Sequence, residues 1–69
     1  MSEVIQRDPE IMGGTPCFQG TRVPIKNLFD HLESGEPLES FFDGFPSVTR
    51  KQVLEVIEMA MHALIDEAA

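Results

Sequence analysis

Gly44-Phe45-Pro46-Ser47-Val48-Thr49-Arg50-Lys51-Gln52-Val53-Leu54-Glu55-Val56-Ile57 decides how this chain is read. Pro46 and Ser47 form a turn. Ser47 or Thr49 can cap a helix, and Gln52 stands three residues after Thr49, where a capping box needs its second member. Val53, Val56, Ile57, Ala60, Met61 and Leu64 then recur at helical spacing, with Leu54 and Ile65 widening the stripe. A helix from Arg50 to about Glu67 would be roughly 27 Å long at 1.5 Å per residue. Its apolar stripe is too broad for a surface that faces only water, so its C-terminal half is expected to pack against another chain or against the N-terminal segment.

Upstream of the turn the same logic gives two shorter helices. Ile25, Leu28, Phe29 and Leu32 fall at i, i+3, i+4 and i+7. They place four large apolar side chains on one face, with Pro24 at the start and Gly35 at the stop. A second helix of about two turns is expected to begin at Pro37, to carry Leu38, Phe41 and Phe42 inward, and to end at Gly44.

Residues 1–23 hold Asp8-Pro9, Gly13-Gly14, Pro16 and Gly20, which leave no room for a helix. Val4 to Gln6 and Cys17 to Gln19 can pair as a small ribbon across the Gly13-Gly14 turn. Gly13, Gly14 and Gly20 are expected at positive φ, where a Cβ is unwelcome. The fold class is therefore mainly α: a three-helix, helix-turn-helix-like unit over 24–69, preceded by a ribbon and loop over 1–23. Together they make one domain, since 69 residues cannot be divided into two cores.

Composition narrows the function. The formal net charge is −7, with apolar residues at 42%, and such a field repels phosphate rather than attracting it. Arg7, Arg22 and Lys26 balance Glu3, Asp8 and Glu10, so the acidity belongs to residues 27–69, where Arg50 and Lys51 face nine acids. The last helix thus has a basic start and an acidic end. Cys17 has no disulfide partner, no run approaches the roughly 20 apolar residues of a membrane span, and no secretory leader is visible. These features favour the cytoplasm. So small a core also favours completion by a second subunit, a homodimer.

Chemistry finds little foothold. Cys17, His31 and His62 are too few and too far apart for a zinc site, and neither nucleophile motifs nor phosphate-binding loops occur in the Gly-rich string from Gly13 to Pro24. No catalytic residue, metal or other cofactor is expected, and an enzyme ranks last among the readings. The helix-turn-helix spacing offers a different role, with Thr49, Arg50, Lys51 and Gln52 at the start of the last helix as candidate DNA-binding residues. The plainer reading makes Thr49 a cap and Arg50 and Lys51 solvated charges. Arg22 serves either to bond nearby backbone or to meet a partner. Glu55 and Glu58, like Asp66 and Glu67, are either a solvated face or a surface for a partner with a basic cleft. Met59 and Met61 are either filler for a core or dimer, or part of such a partner surface.

The order of these residues is itself informative. Asp8-Pro9, Gly14-x-Pro16, Gly20-Thr21-Arg22 followed by Val23-Pro24, Gly35, and Phe45-Pro46 together make the stretch from Ile5 to about His62 resemble the domain-of-unknown-function 433 family. Cys17-Phe18 stands where that family usually has a small aliphatic pair, and Gly44-Phe45 where it often has an acidic-aromatic pair. The resemblance implies a helix-turn-helix antitoxin encoded beside a PIN-like nuclease toxin, which it binds, with operator DNA as a second ligand. It carries over Arg22 and the helix start as binding candidates. Glu55, Glu58 and Met61 join Arg22 as the expected partner-binding residues, and a protein-interaction module that never touches DNA is the alternative.

Overall fold

The computed structural model describes residues 4–68. Two short strands, β1 (Ile5–Gln6) and β2 (Cys17–Phe18), are followed by three helices: α1 (Ile25–Glu33), α2 (Leu38–Gly44) and α3 (Arg50–Ala68). The strands pair antiparallel with Ile5 opposite Phe18 and Gln6 opposite Cys17. This is the expected ribbon ahead of the expected three helices, a mainly α domain.

The connection between the strands is tighter than a plain loop. Met12–Gly14 forms a single 3-10 turn, so the expectation that breakers exclude all helical structure before Pro24 needs amending. Gly13 at φ 69° and Gly14 at φ 91° let it close, and Met12 itself is held at φ 52°. Gly20 sits at φ 77° in the next turn, as its place in the string implied.

Each helix begins and ends where local chemistry directs. Pro24 precedes α1 with extended backbone, and the N–H of Ile25 donates to the Pro16 carbonyl at 2.9 Å, stitching the helix start to the ribbon. At the other end Gly35 takes φ 83°, and its N–H returns to the Leu32 carbonyl at 3.1 Å. α2 opens after Pro37. The joint between α1 and α2 is held by His31, whose Nε2 lies 2.8 Å from the Pro37 carbonyl and 3.0 Å from Ser40 Oγ. Its ring also meets Phe41 edge-on, with centroids 5.5 Å apart. His31 is therefore a partly buried interhelical fastener.

The core is built around Phe41. That ring is fully buried and has Phe18 at 6.2 Å, Phe42 at 6.0 Å and Phe45 at 4.9 Å between centroids. Leu28, Val48, Val53, Val56, Val23 and Val4 complete the cluster. Cys17 is fully buried as well, as a packed thiol would be. Phe18 therefore supplies the ribbon's main contribution to the core.

Two expected inward faces are only partly covered. On α1, Leu28 is buried, but Phe29 and Leu32 remain 38% and 37% exposed, because α2 is too short to roof the whole stripe. On α3, Val53 and Val56 are buried while Leu54, Met61, Leu64 and Ile65 are exposed. The ribbon does not reach the distal half of α3, which removes one of the two covers expected for it.

Candidate binding surface at the third helix

Thr49 and Gln52 form the capping box expected from sequence. The Gln52 N–H donates to Thr49 Oγ1 at 3.1 Å, while Gln52 Oε1 accepts from the Thr49 N–H at 3.0 Å. Both first-turn donors are thereby satisfied within the chain. Thr49 is the N-cap.

The second arm of the Gln52 amide does something the sequence did not announce. Its Nε2 donates to the backbone carbonyl of Gln19 at 2.9 Å. Gln6 grips the same turn from β1: its Oε1 accepts from the Gly20 N–H at 3.0 Å and its Nε2 donates to the Thr21 carbonyl at 3.3 Å. Inside the turn, the buried Thr21 hydroxyl donates to the Phe18 carbonyl at 2.9 Å and accepts from the Val23 N–H at 3.0 Å. With its neighbours so fastened, exposed Arg22 is carried on a loop docked against the first turn of α3.

Arg50 is also engaged. Its guanidinium makes a salt bridge with Glu39 of α2 and lies over the Phe42 ring, 5.0 Å from the centroid. The pair is exposed, so its strength is modest, but it spans two helices and fixes where the side chain rests. Of the expected DNA-contacting set, Thr49 and Gln52 spend their polar groups on the cap and the Gln19 tie, and Arg50 on Glu39. Lys51 extends from the exposed side of the first turn.

Along α3 the candidate partner residues separate. A shallow flank is bordered by Lys51, Leu54, Glu55, Glu58, Met59 and His62. All belong to α3, so this is an open helix face rather than a cavity. Glu55 is partly buried and Glu58 exposed. Met61, 46% exposed, lies about 120° around the helix from Glu55 but only about 60° from Glu58, at 100° per residue. Arg22 lies on the loop beside the first turn. Three of the four expected partner residues thus lie on α3, with Glu58 between Glu55 and Met61, and the fourth on the adjoining loop.

Sequence reasoning missed Glu39, Gln6 and Gln19. Glu39 and Arg50 are 11 positions apart on different helices, and Gln19 and Gln52 are 33 apart, beyond any periodicity rule. Among the described residues, no group of three or more His, Cys, Asp or Glu side chains is placed to hold a metal ion. Nor is any helix there long and apolar enough to cross a membrane.

Comparison with known proteins agrees on the family. The model of the family described as "Protein of unknown function (DUF433)" matches residues 5–60. A relative in Sinorhizobium fredii (strain NBRC 101917 / NGR234), described as "Uncharacterized protein y4eO", is 31% identical over 51 residues. Those cover 74% of this chain and 23% of the relative, so the chain spans about a quarter of that protein's length. No solved structure matches. The chain belongs to the DUF433 family.

Proposed function

We propose that this member of the DUF433 family is a binding protein rather than an enzyme: a homodimeric antitoxin of the cytoplasm that neutralises a PIN-like nuclease by laying α3 against it. The observation that carries the reading is the flank of α3 on which acids and large apolar side chains share an open face. Leu54 is 53% exposed and Met59 41%, beside Glu55 and Glu58. A nuclease cleft accepts a polyanion and so must tolerate negative charge. An acidic, apolar helix face suits such a cleft, the apolar side chains giving adhesion and the carboxylates competing with substrate phosphate. The nuclease itself is implied by the family resemblance, not by the geometry.

Operator DNA is the second reading, and the position of Lys51 favours it. Lys51 projects from the first turn of α3, the part of a helix-turn-helix unit that meets DNA, and the loop bearing Arg22 is docked beside that turn. The engagement of Arg50 with Glu39 and the net charge of −7 weigh on the other side. Toxin binding therefore leads.

The test replaces Glu55 and Glu58 with Gln and measures binding to the cognate nuclease, supplied from the neighbouring reading frame, by calorimetry. Affinity and inhibition should both fall, and more steeply at low salt. Unchanged inhibition would reduce the acids to a solvated face and move the search to Arg22 and its loop.

A further inference from the structure

α3 carries an apolar repeat that starts at the margin of the domain's core and runs out beyond it. Leu54, Ile57, Met61 and Leu64 follow one another at spacings of three, four and three. This is the spacing found along the seam of a two-helix coiled coil, in which apolar residues recur on average every 3.5 positions. The inward residues Val53 and Val56 occupy a different strip. Ile57 is partly buried at the edge of the core, whereas Leu54, Met61 and Leu64 are 53%, 46% and 72% exposed. The seam is thus anchored along one margin and open along the other.

We propose that a second copy of this chain closes that seam, its α3 running antiparallel to the first. The proposal rests on the homodimer of the reading above and adds which residues meet and in which direction. Two features of the sequence on this helix select the occupant. First, the seam is self-complementary: Leu54 and Leu64 lie as far from its midpoint, near residue 59, as each other, and so do Ile57 and Met61. A two-fold axis there sets Leu54 against Leu64 of the second copy and Ile57 against its Met61, leucine on leucine and a flexible thioether on a branched chain.

Second, the helix is electrically polar. Its first turn carries Arg50 and Lys51, and its last turns carry Asp66 and Glu67. An antiparallel pair brings each basic start beside the other copy's acidic end and opposes the two helix dipoles. A parallel pair stacks like on like at both ends. Lys51 is the freer of the two cations for this purpose, since Arg50 is held by Glu39.

Glu55 and His62 lie more than 100° around the helix from the middle of the seam, whereas Glu58, one turn from both Leu54 and Met61, flanks it. Dimer closure therefore takes Leu54 from the shallow flank of α3 and leaves Glu55, Met59 and His62 open to a nuclease. On this arrangement Met61 belongs to the dimer rather than to the nuclease-facing surface.

Light scattering and sedimentation of the full chain, with Leu64→Glu beside it, test the seam. The parent should be a dimer, and Leu64→Glu should raise the dissociation constant on the order of tenfold or more with its helical circular dichroism retained, because Leu64 is too exposed to support the monomer. A parent that is monomeric at every concentration overturns both the homodimer and the seam. A parent dimer that Leu64→Glu leaves intact overturns the seam alone. Direction is read by oxidative crosslinking: the double variant Leu54→Cys with Leu64→Cys should form a covalent dimer, while each single variant should not. Ten positions of helix separate the two sites by about 15 Å, which excludes a bond within one chain, and Cys17 is fully buried. Crosslinking of the single variants would mean a parallel pair and overturn the proposal.

Discussion

The side-chain amide of Gln52 donates to the backbone carbonyl of Gln19 at 2.9 Å, tying the first turn of α3 to the loop that leads to Arg22. The same side chain accepts from the Thr49 N–H. One residue thus caps the longest helix and secures the ribbon to it. Because the two jobs use different ends of the amide, substitution can separate them. Gln52→Ala should lose both and cost about 1–2 kcal/mol. Gln52→Glu keeps an acceptor for Thr49, favoured by the helix dipole, but turns a carboxylate oxygen toward the Gln19 carbonyl, so it should lose only the tie. Urea unfolding of the two variants measures this, and equal stability of Gln52→Ala and parent would remove the tie from the account.

Phe41 makes a steeper prediction. It is fully buried and touched by three other phenylalanines. Truncation to Ala should cost about 3–5 kcal/mol. A domain of this size has only roughly 3–10 kcal/mol in hand, at 0.05–0.15 kcal/mol per residue. Phe41→Ala should therefore be largely unfolded at 37 °C by circular dichroism, whereas Phe29→Ala, at a site 38% exposed, should still fold.

Arg50 and Lys51 are adjacent but should answer differently to the same substitution. Arg50→Ala removes the salt bridge to Glu39 and the contact with Phe42. It should lower stability by up to about 1 kcal/mol, and Lys51→Ala should leave it unchanged. If operator DNA is a ligand, Lys51→Ala should weaken binding and Glu39→Gln, which releases the Arg50 guanidinium, should strengthen it. Titrations over a range of salt concentrations should show a slope that falls with Lys51→Ala. Indifference to both changes would place DNA elsewhere or nowhere.

The Lys26–Asp30 pair carries a pH signature. Lys26 Nζ lies 2.8 Å from Asp30 Oδ2, one helical turn along α1. The hydrogen bond to Asp30 and the charge of that carboxylate raise the Lys26 pKa above its ordinary 10.5. A pKa raised by folding stabilises the folded state fully below the unfolded value, and that contribution disappears as the pH climbs through the folded one. Lys26→Met should therefore match the parent's pH dependence from neutrality to pH 9 and differ in the alkaline limb. An alkaline limb unchanged by the substitution would contradict the assignment.

Much of the architecture was legible in the order of residues because it depends on local rules. The capping box at Thr49 and Gln52, the stop at Gly35 and the start after Pro24 follow from short-range hydrogen bonding and from which residues tolerate a given φ. These forces act over a few positions, and a few positions of sequence contain them. The basic start and acidic end of α3 are likewise plain in the sequence. What it could not supply is which groups remain available. Thr49, Arg50, Lys51 and Gln52 look equivalent as a row of polar side chains, yet the tertiary structure assigns Gln52 to Gln19 and Arg50 to Glu39 and Phe42. Those partners come from other elements, brought near only when Phe18 and Phe41 pack together. The same holds for the apolar stripe on α3. Its width was countable from the sequence, but which residues the core would take and which it would leave exposed depended on how far α1, α2 and the ribbon reach, a matter of three-dimensional extent that periodicity does not encode.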